Sequence, residues 1–90
     1  MNNDWSDLKS KLSEYQTFPS IYMFKFILSS NNQKIAQLEA LFNNNSADIS
    51  IRQSSRGRYV SITVKQLVNS VDEIISIYQQ ASQISGVMII

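Results

Sequence analysis

Apolar residues return along the chain in two rhythms. Trp5, Leu8, Leu12 and Tyr15 recur at spacings of three and four, which predicts an amphipathic helix over Asp4 to Tyr15 with Asn3 or Asp4 as its cap. Phe18-Pro19 ends it, because proline pushes the preceding residue into extended geometry. From Ser20 to Ser29, β-branched and aromatic residues dominate, the composition of a strand. Asn32 to Phe42 returns to the helical period, with Ile35, Leu38, Leu41 and Phe42 on one face, and Asn43-Asn44-Asn45 stops it.

The second half alternates. Over Ala47 to Gln53, Ile49 and Ile51 fall on one side and Ser50 and Arg52 on the other. Over Arg58 to Lys65, Val60, Ile62 and Val64 oppose Tyr59, Ser61 and Thr63. Ser54-Ser55-Arg56-Gly57 joins these two strands as a hairpin connection, with Gly57 supplying the positive φ of a tight loop. Ser70-Val71-Asp72-Glu73 fits a capping box, and its two acids suit the first turn of a helix. The apolar stripe that follows is Val71, Ile74, Ile75, Tyr78, Ala81 and Ile84. Gly86 punctuates, and Val87 to Ile90 reads as a final short strand.

The predicted order is strand, helix, strand, strand, helix, strand after an N-terminal helix. That is the split βαβ arrangement of an α+β, ferredoxin-like βαββαβ sandwich. Right-handed crossovers place both main helices on one face of a four-stranded antiparallel sheet. The first and third strands then lie in the centre, and the second and fourth at the edges. Residues 1–17 form the extra helix and residues 18–90 the sandwich.

Composition narrows the chemistry. The 90-residue chain has no histidine and no cysteine. Disulfides, thiolate catalysis and iron–sulfur clusters are excluded, along with the commonest general base and the commonest metal ligand. No metal or cofactor is expected. Asp72 and Glu73 are accounted for by capping, and Asp48, Glu39 and Glu14 are scattered, so no carboxylate pair stands out for acid–base work. Ser54 and Lys65 offer a nucleophile and a base by type alone, with nothing in a two-stranded register to bring them together. The expectation is a protein that is not an enzyme.

Charge is near balance at +1 overall, but residues 49–65 hold Arg52, Arg56, Arg58 and Lys65 with no acid. The balance speaks against a general nucleic-acid or membrane binder. The longest apolar stretch, Ile21 to Leu28, is interrupted by Lys25 and too short to span a bilayer. No basic region followed by an apolar run opens the chain, so a cytoplasmic protein is expected.

Three sets of residues are candidates for function. Arg52, Arg56 and Arg58, with the hydroxyls of Ser54 and Ser55 and the backbone of Gly57, form a hairpin suited to phosphate or carboxylate. The bland account of the same residues is a charged hairpin that keeps an edge strand from aggregating. Tyr59, Ser61 and Thr63 share one strand face, and Tyr22, Phe24 and Phe26 share a face of the first strand. Aromatics beside basic residues suit single-stranded RNA, but the third strand brings only Tyr59. The first strand is apolar on both faces, with Ile21, Met23 and Ile27 opposite Tyr22, Phe24, Phe26 and Leu28. Two helices cover only one of them. The other needs the N-terminal helix with Trp5 and Leu8, or a second copy of the chain, since large exposed apolar patches mark interaction surfaces.

From Phe18 to Ile90 the chain resembles the YbeD-like proteins, a family of small bacterial proteins of unknown function. The resemblance rests on Phe18-Pro19 before the aromatic-rich strand and on the string Ser54-Ser55-Arg56-Gly57-Arg58-Tyr59-Val60-Ser61-Ile62-Thr63. It continues through Ile74-Ile75-x-Ile77-Tyr78 and Ile84-x-Gly86-Val87. It implies an ACT-like, ferredoxin-like fold and no particular reaction. Amino-acid-binding ACT domains often carry glycine where the first strand meets the first helix. Here that junction is Ser29-Ser30-Asn31-Asn32, residues that cap a helix without a ligand. The resulting expectation is a non-catalytic binding or regulatory module that works through protein contacts, either with an unknown partner or as a homodimer. The alternative is an ACT-like sensor of an amino acid or anionic metabolite bound near the Ser54 to Arg58 hairpin.

Overall fold

A computed structural model describes residues 5–15, 17–42 and 46–90. Its elements are α1 (Ser6–Tyr15), β1 (Ser20–Ser29), α2 (Asn32–Glu39), β2 (Asp48–Gln53), β3 (Tyr59–Val68), α3 (Val71–Ser82) and β4 (Met88–Ile89). The expected caps Asn3 and Asp4 and the stop Asn43-Asn44-Asn45 lie outside the described residues.

The strands form one antiparallel sheet in the order β2-β3-β1-β4. The two long strands are therefore central and the two short ones lie at the edges. All ten residues of β1 pair with β3, from Ser20 opposite Val68 to Ser29 opposite Tyr59. This pairing carries β3 three residues past the expected end at Lys65. Gln66, Leu67 and Val68 are drawn into the ladder by the open backbone groups of Tyr22, Ile21 and Ser20. Helix α2 is shorter than expected. It caps at Ala40, and a tighter turn, Leu41 to Leu38 and Phe42 to Glu39, swings Phe42 into the core. At the last strand only Met88 and Ile89 join the ladder.

Alternation sorts β1 cleanly. Phe24, Phe26 and Leu28 are buried with Val60, Ile62, Val64 and Val68 of β3. Phe42 packs on Phe24 and Phe26 with ring centroids 5.3 and 6.1 Å apart, and Tyr78 of α3 packs on the same two rings at 5.4 and 6.4 Å. Both helices therefore close the same side of the sheet. Each fully buried large side chain there contributes about 1.5–3 kcal/mol, and aromatic pairs add about 0.5–1.5 kcal/mol beyond area.

Helix α3 starts as its sequence dictates. The Ser70 hydroxyl accepts from the Glu73 amide at 3.2 Å, and the Glu73 carboxylate accepts from the amides of Ser70 and Asn69. Gly57 takes φ +69° in the hairpin, as a tight loop there requires.

The N-terminal helix settles which cover the second sheet face lacks. Helix α1 lies against α3: Trp5 stacks on Tyr78 at 6.0 Å with parallel rings, Leu12 enters the core, and Lys9 pairs with Asp72 at 2.9 Å. It thus widens the helical layer and leaves the opposite face of the sheet bare. The expectation that Trp5 serves a sheet-face surface is corrected by this packing. The indole stacks on a core tyrosine of the helical layer instead.

Candidate functional site

The hairpin is stitched to the molecule more tightly than an open anion loop would be. Ser54 and Tyr59 bond through Ser54 N–H to Tyr59 C=O at 2.9 Å, and the Tyr59 amide donates to the Ser54 hydroxyl oxygen at 3.2 Å. The Gly57 amide donates to the Ser54 carbonyl. Three of the N–H groups that could have met an anion are thereby used within the turn. Ser30, at the β1–α2 junction, donates its amide to the Arg58 carbonyl and its hydroxyl to the Gly57 carbonyl at 2.6 Å. Asn31 accepts from the Lys34 amide at 3.0 Å and caps α2. The side chains of Ser30 and Asn31 at that junction are thus occupied by the hairpin and the helix cap. Ser55, Arg56 and Arg58 extend from this corner into solvent.

Arg52 parts company with the other two arginines. It stands on the bare face of β2, in a lattice of side chains fixed by strand register. One cross-strand row is Asp48, Lys65 and Met23; the next is Ser50, Thr63 and Lys25; the third is Arg52, Ser61 and Ile27. A shallow groove of about 500 Å³ runs over this lattice; Lys25, Arg52, Lys65, Ser50, Ser61 and Thr63 line it together with the apolar Met23 and Ile51. Of the expected site residues, Arg52, Ser61 and Thr63 are brought together here. In the sequence Lys25 shows only as a charge that interrupts an apolar run. Its neighbours on the bare face depend on pairing with β3, which a single strand does not reveal.

Beside the groove the same face is apolar. Ile21, Leu67 and Met23 lie toward one end, and Met88 and Ile90 along the β4 edge, at 47 to 65% exposure. Tyr59 is the sole aromatic among the described residues on this face. Phe24 and Phe26 are fully buried and Tyr22 packs against the core, so the aromatic face of β1 is core and offers no stacking platform for bases.

One polar pair was not visible in the sequence. The hydroxyls of Tyr22 and Tyr78 bond at 2.9 Å, and the Tyr78 ring stacks on Trp5. Burial, and then the bond to Tyr22, push the Tyr78 hydroxyl above its ordinary range. A phenol held neutral in this way serves as a hydrogen-bond partner and not as a base. Ser54 and Lys65 sit at opposite ends of the β2–β3 ladder, where they cannot meet. Among the described residues no cluster of acidic side chains could hold a metal, and no helix is long and apolar enough to cross a membrane.

Comparison with known families gives a match. The model of the family described as Protein of unknown function (DUF493) aligns with residues 13–90. The chain belongs to that family. The match begins within α1 and covers the whole sheet, the hairpin, α2 and α3. A YbeD-like resemblance is compatible with this membership. No curated protein and no solved structure matches the chain.

Proposed function

We propose that this DUF493 member is a non-catalytic binding module with a ferredoxin-like core, and that it acts through protein contacts made by the bare face of its sheet. One observation carries the reading. Ile21, Leu67, Met88 and Ile90 stay about half or more exposed on a face that none of the three helices covers. Exposed apolar side chains cost solvation in a free monomer, and a contiguous group of them gains when a partner removes it from water. The central position of β1 and β3 supports the ferredoxin-like core, and methionines at the patch suit a surface that adapts to its partner.

The test places a photo-crosslinking amino acid at Leu67 or Met88, with Gln79 on the outer side of α3 as the control. Light exposure in cells of the source organism is expected to give adducts from the two sheet positions and none from Gln79. An adduct of twice the 10.3 kDa chain mass identifies a homodimer, and any other mass a different protein. Absence of adducts at both sheet positions, or equal labelling at Gln79, overturns the reading.

A further inference from the structure

Three cations from three neighbouring strands meet over one threonine on the bare sheet face. Lys25 and Ser50 stand directly opposite Thr63, Lys65 and Ser61 lie two residues away on its own strand, and Arg52 takes the diagonal. Directly opposed Cβ atoms in such a ladder are about 5 Å apart and diagonal ones about 7–8 Å. The long Lys and Arg side chains therefore reach the space above Thr63 from three directions. Among the described residues, the one acid on this part of the face is Asp48, at its far corner opposite Lys65. None of the three cationic side chains is drawn into an ion pair.

We infer that the groove over Thr63 is a phosphate site, with Lys25, Arg52 and Lys65 as its charge and the hydroxyls of Ser50, Ser61 and Thr63 as neutral partners. The chemistry favours a phosphate group over a carboxylate. A phosphate monoester carries close to two charges and three acceptor oxygens, which matches three cations arriving from separate strands. Arginine takes two of those oxygens at once and the lysines act as point charges. Like charges gathered in a concave surface also raise the local concentration of anions. Lys25 makes the case most directly. It lies on a central strand between Met23 and Ile27, and the Ile90 amide bonds its carbonyl. An apolar side chain there would have continued the neighbouring patch. The site is distinct from the hairpin, where the Ser54, Gly57 and Tyr59 amides are taken up by the turn, and it does not depend on protein contacts at the apolar end of the face.

The ligand class is a small phosphate compound, a phosphate monoester or pyrophosphate. Amide-resolved NMR of the ¹⁵N-labelled chain, titrated with inorganic phosphate, pyrophosphate, a phosphate monoester and a short single-stranded RNA, tests it. Saturable shifts are expected at Lys25, Ser50, Arg52, Ser61, Thr63 and Lys65, strongest for pyrophosphate or the monoester and weakened by sodium chloride. Lys25→Gln, Arg52→Gln and Lys65→Gln, all at exposed positions, are each expected to lower affinity by about two- to fivefold, and the triple variant to abolish it. Thr63→Val, which leaves the charge intact, gives a smaller loss. Unchanged amide dispersion in each variant shows that the fold is retained. Absence of saturable shifts, shifts centred on Ser54 to Arg58, binding that survives the triple variant, or RNA bound more tightly than the small phosphates would each overturn the inference.

Discussion

The two faces of one sheet are built from the same strands and differ in almost everything else. On β1, Phe24 is fully buried while its neighbour Met23 is 47% exposed, although both are large and apolar. On β3, Val64 and Lys65 make the same contrast. The side chain's own chemistry does not separate Phe24 from Met23. The difference lies in what is laid on each face: α2 and α3 on one, nothing on the other. An apolar residue in a strand is thus a core residue only where a second layer arrives to meet it.

The sharpest way to break this comparison is to truncate across it. Phe24→Ala is expected to cost about 3–5 kcal/mol, from lost burial and the cavity left among Tyr22, Phe42 and Tyr78. Met23→Ala is expected to stay within about 0.5 kcal/mol. Urea denaturation of the two variants reads the difference, and equal losses would mean that the bare face is covered in solution.

Next in size is the helix that closes the buried face. Ser70→Ala removes the oxygen that receives the Glu73 amide, and a loss of about 1 kcal/mol is expected in the same assay. Tyr22→Phe probes the one side chain–side chain hydrogen bond within the aromatic cluster. It leaves the buried Tyr78 hydroxyl without its partner, at an expected cost of about 0.5–1.5 kcal/mol. The pair also has a pH signature. Because Tyr78 is raised in the folded chain, the folded state holds its proton more tightly than the unfolded state does. Its contribution is therefore complete below the ordinary tyrosine value of about 10 and is lost as pH rises beyond it. Thermal melts stepped through that alkaline range should fall more steeply for the parent than for Tyr78→Phe.

The smallest effect on stability belongs to the bare face. Leu67→Ser should change the unfolding free energy by no more than about 0.5 kcal/mol, yet it should remove crosslinks formed from Met88. A large loss of stability with crosslinking intact would reverse the assignment of this face to binding.

Much of the architecture was legible because the signals are local. The strict alternation of Val60, Ile62 and Val64, the Ser70 to Glu73 capping box and the glycine of the hairpin each need only a few neighbouring residues. Element ends were less legible. Gln66 to Val68 extend β3 because β1 offers them backbone partners, and α2 stops at Glu39 because Phe42 gains more as a core residue than as another helical turn. The candidate site was legible in part. Arg52, Ser61 and Thr63 stand out in the sequence, where proximity sets Arg52 beside Arg56 and Arg58. Register placed it with Lys25 and Lys65 instead. The Tyr22–Tyr78 bond joins residues 56 positions apart, and no periodicity carries that information.

By itself the sequence determined the kinds of element, their order and the lack of histidine and cysteine chemistry, because periodicity, capping and composition are properties of short stretches of chain. It also required that β1 have two apolar faces to cover. Only the tertiary structure decided that α1 joins the helical layer through Trp5 and Tyr78, leaving one face bare, and that three strands bring Lys25, Arg52 and Lys65 around Thr63. Both outcomes depend on which distant surfaces meet, and that is set by packing and strand register, not by local preference.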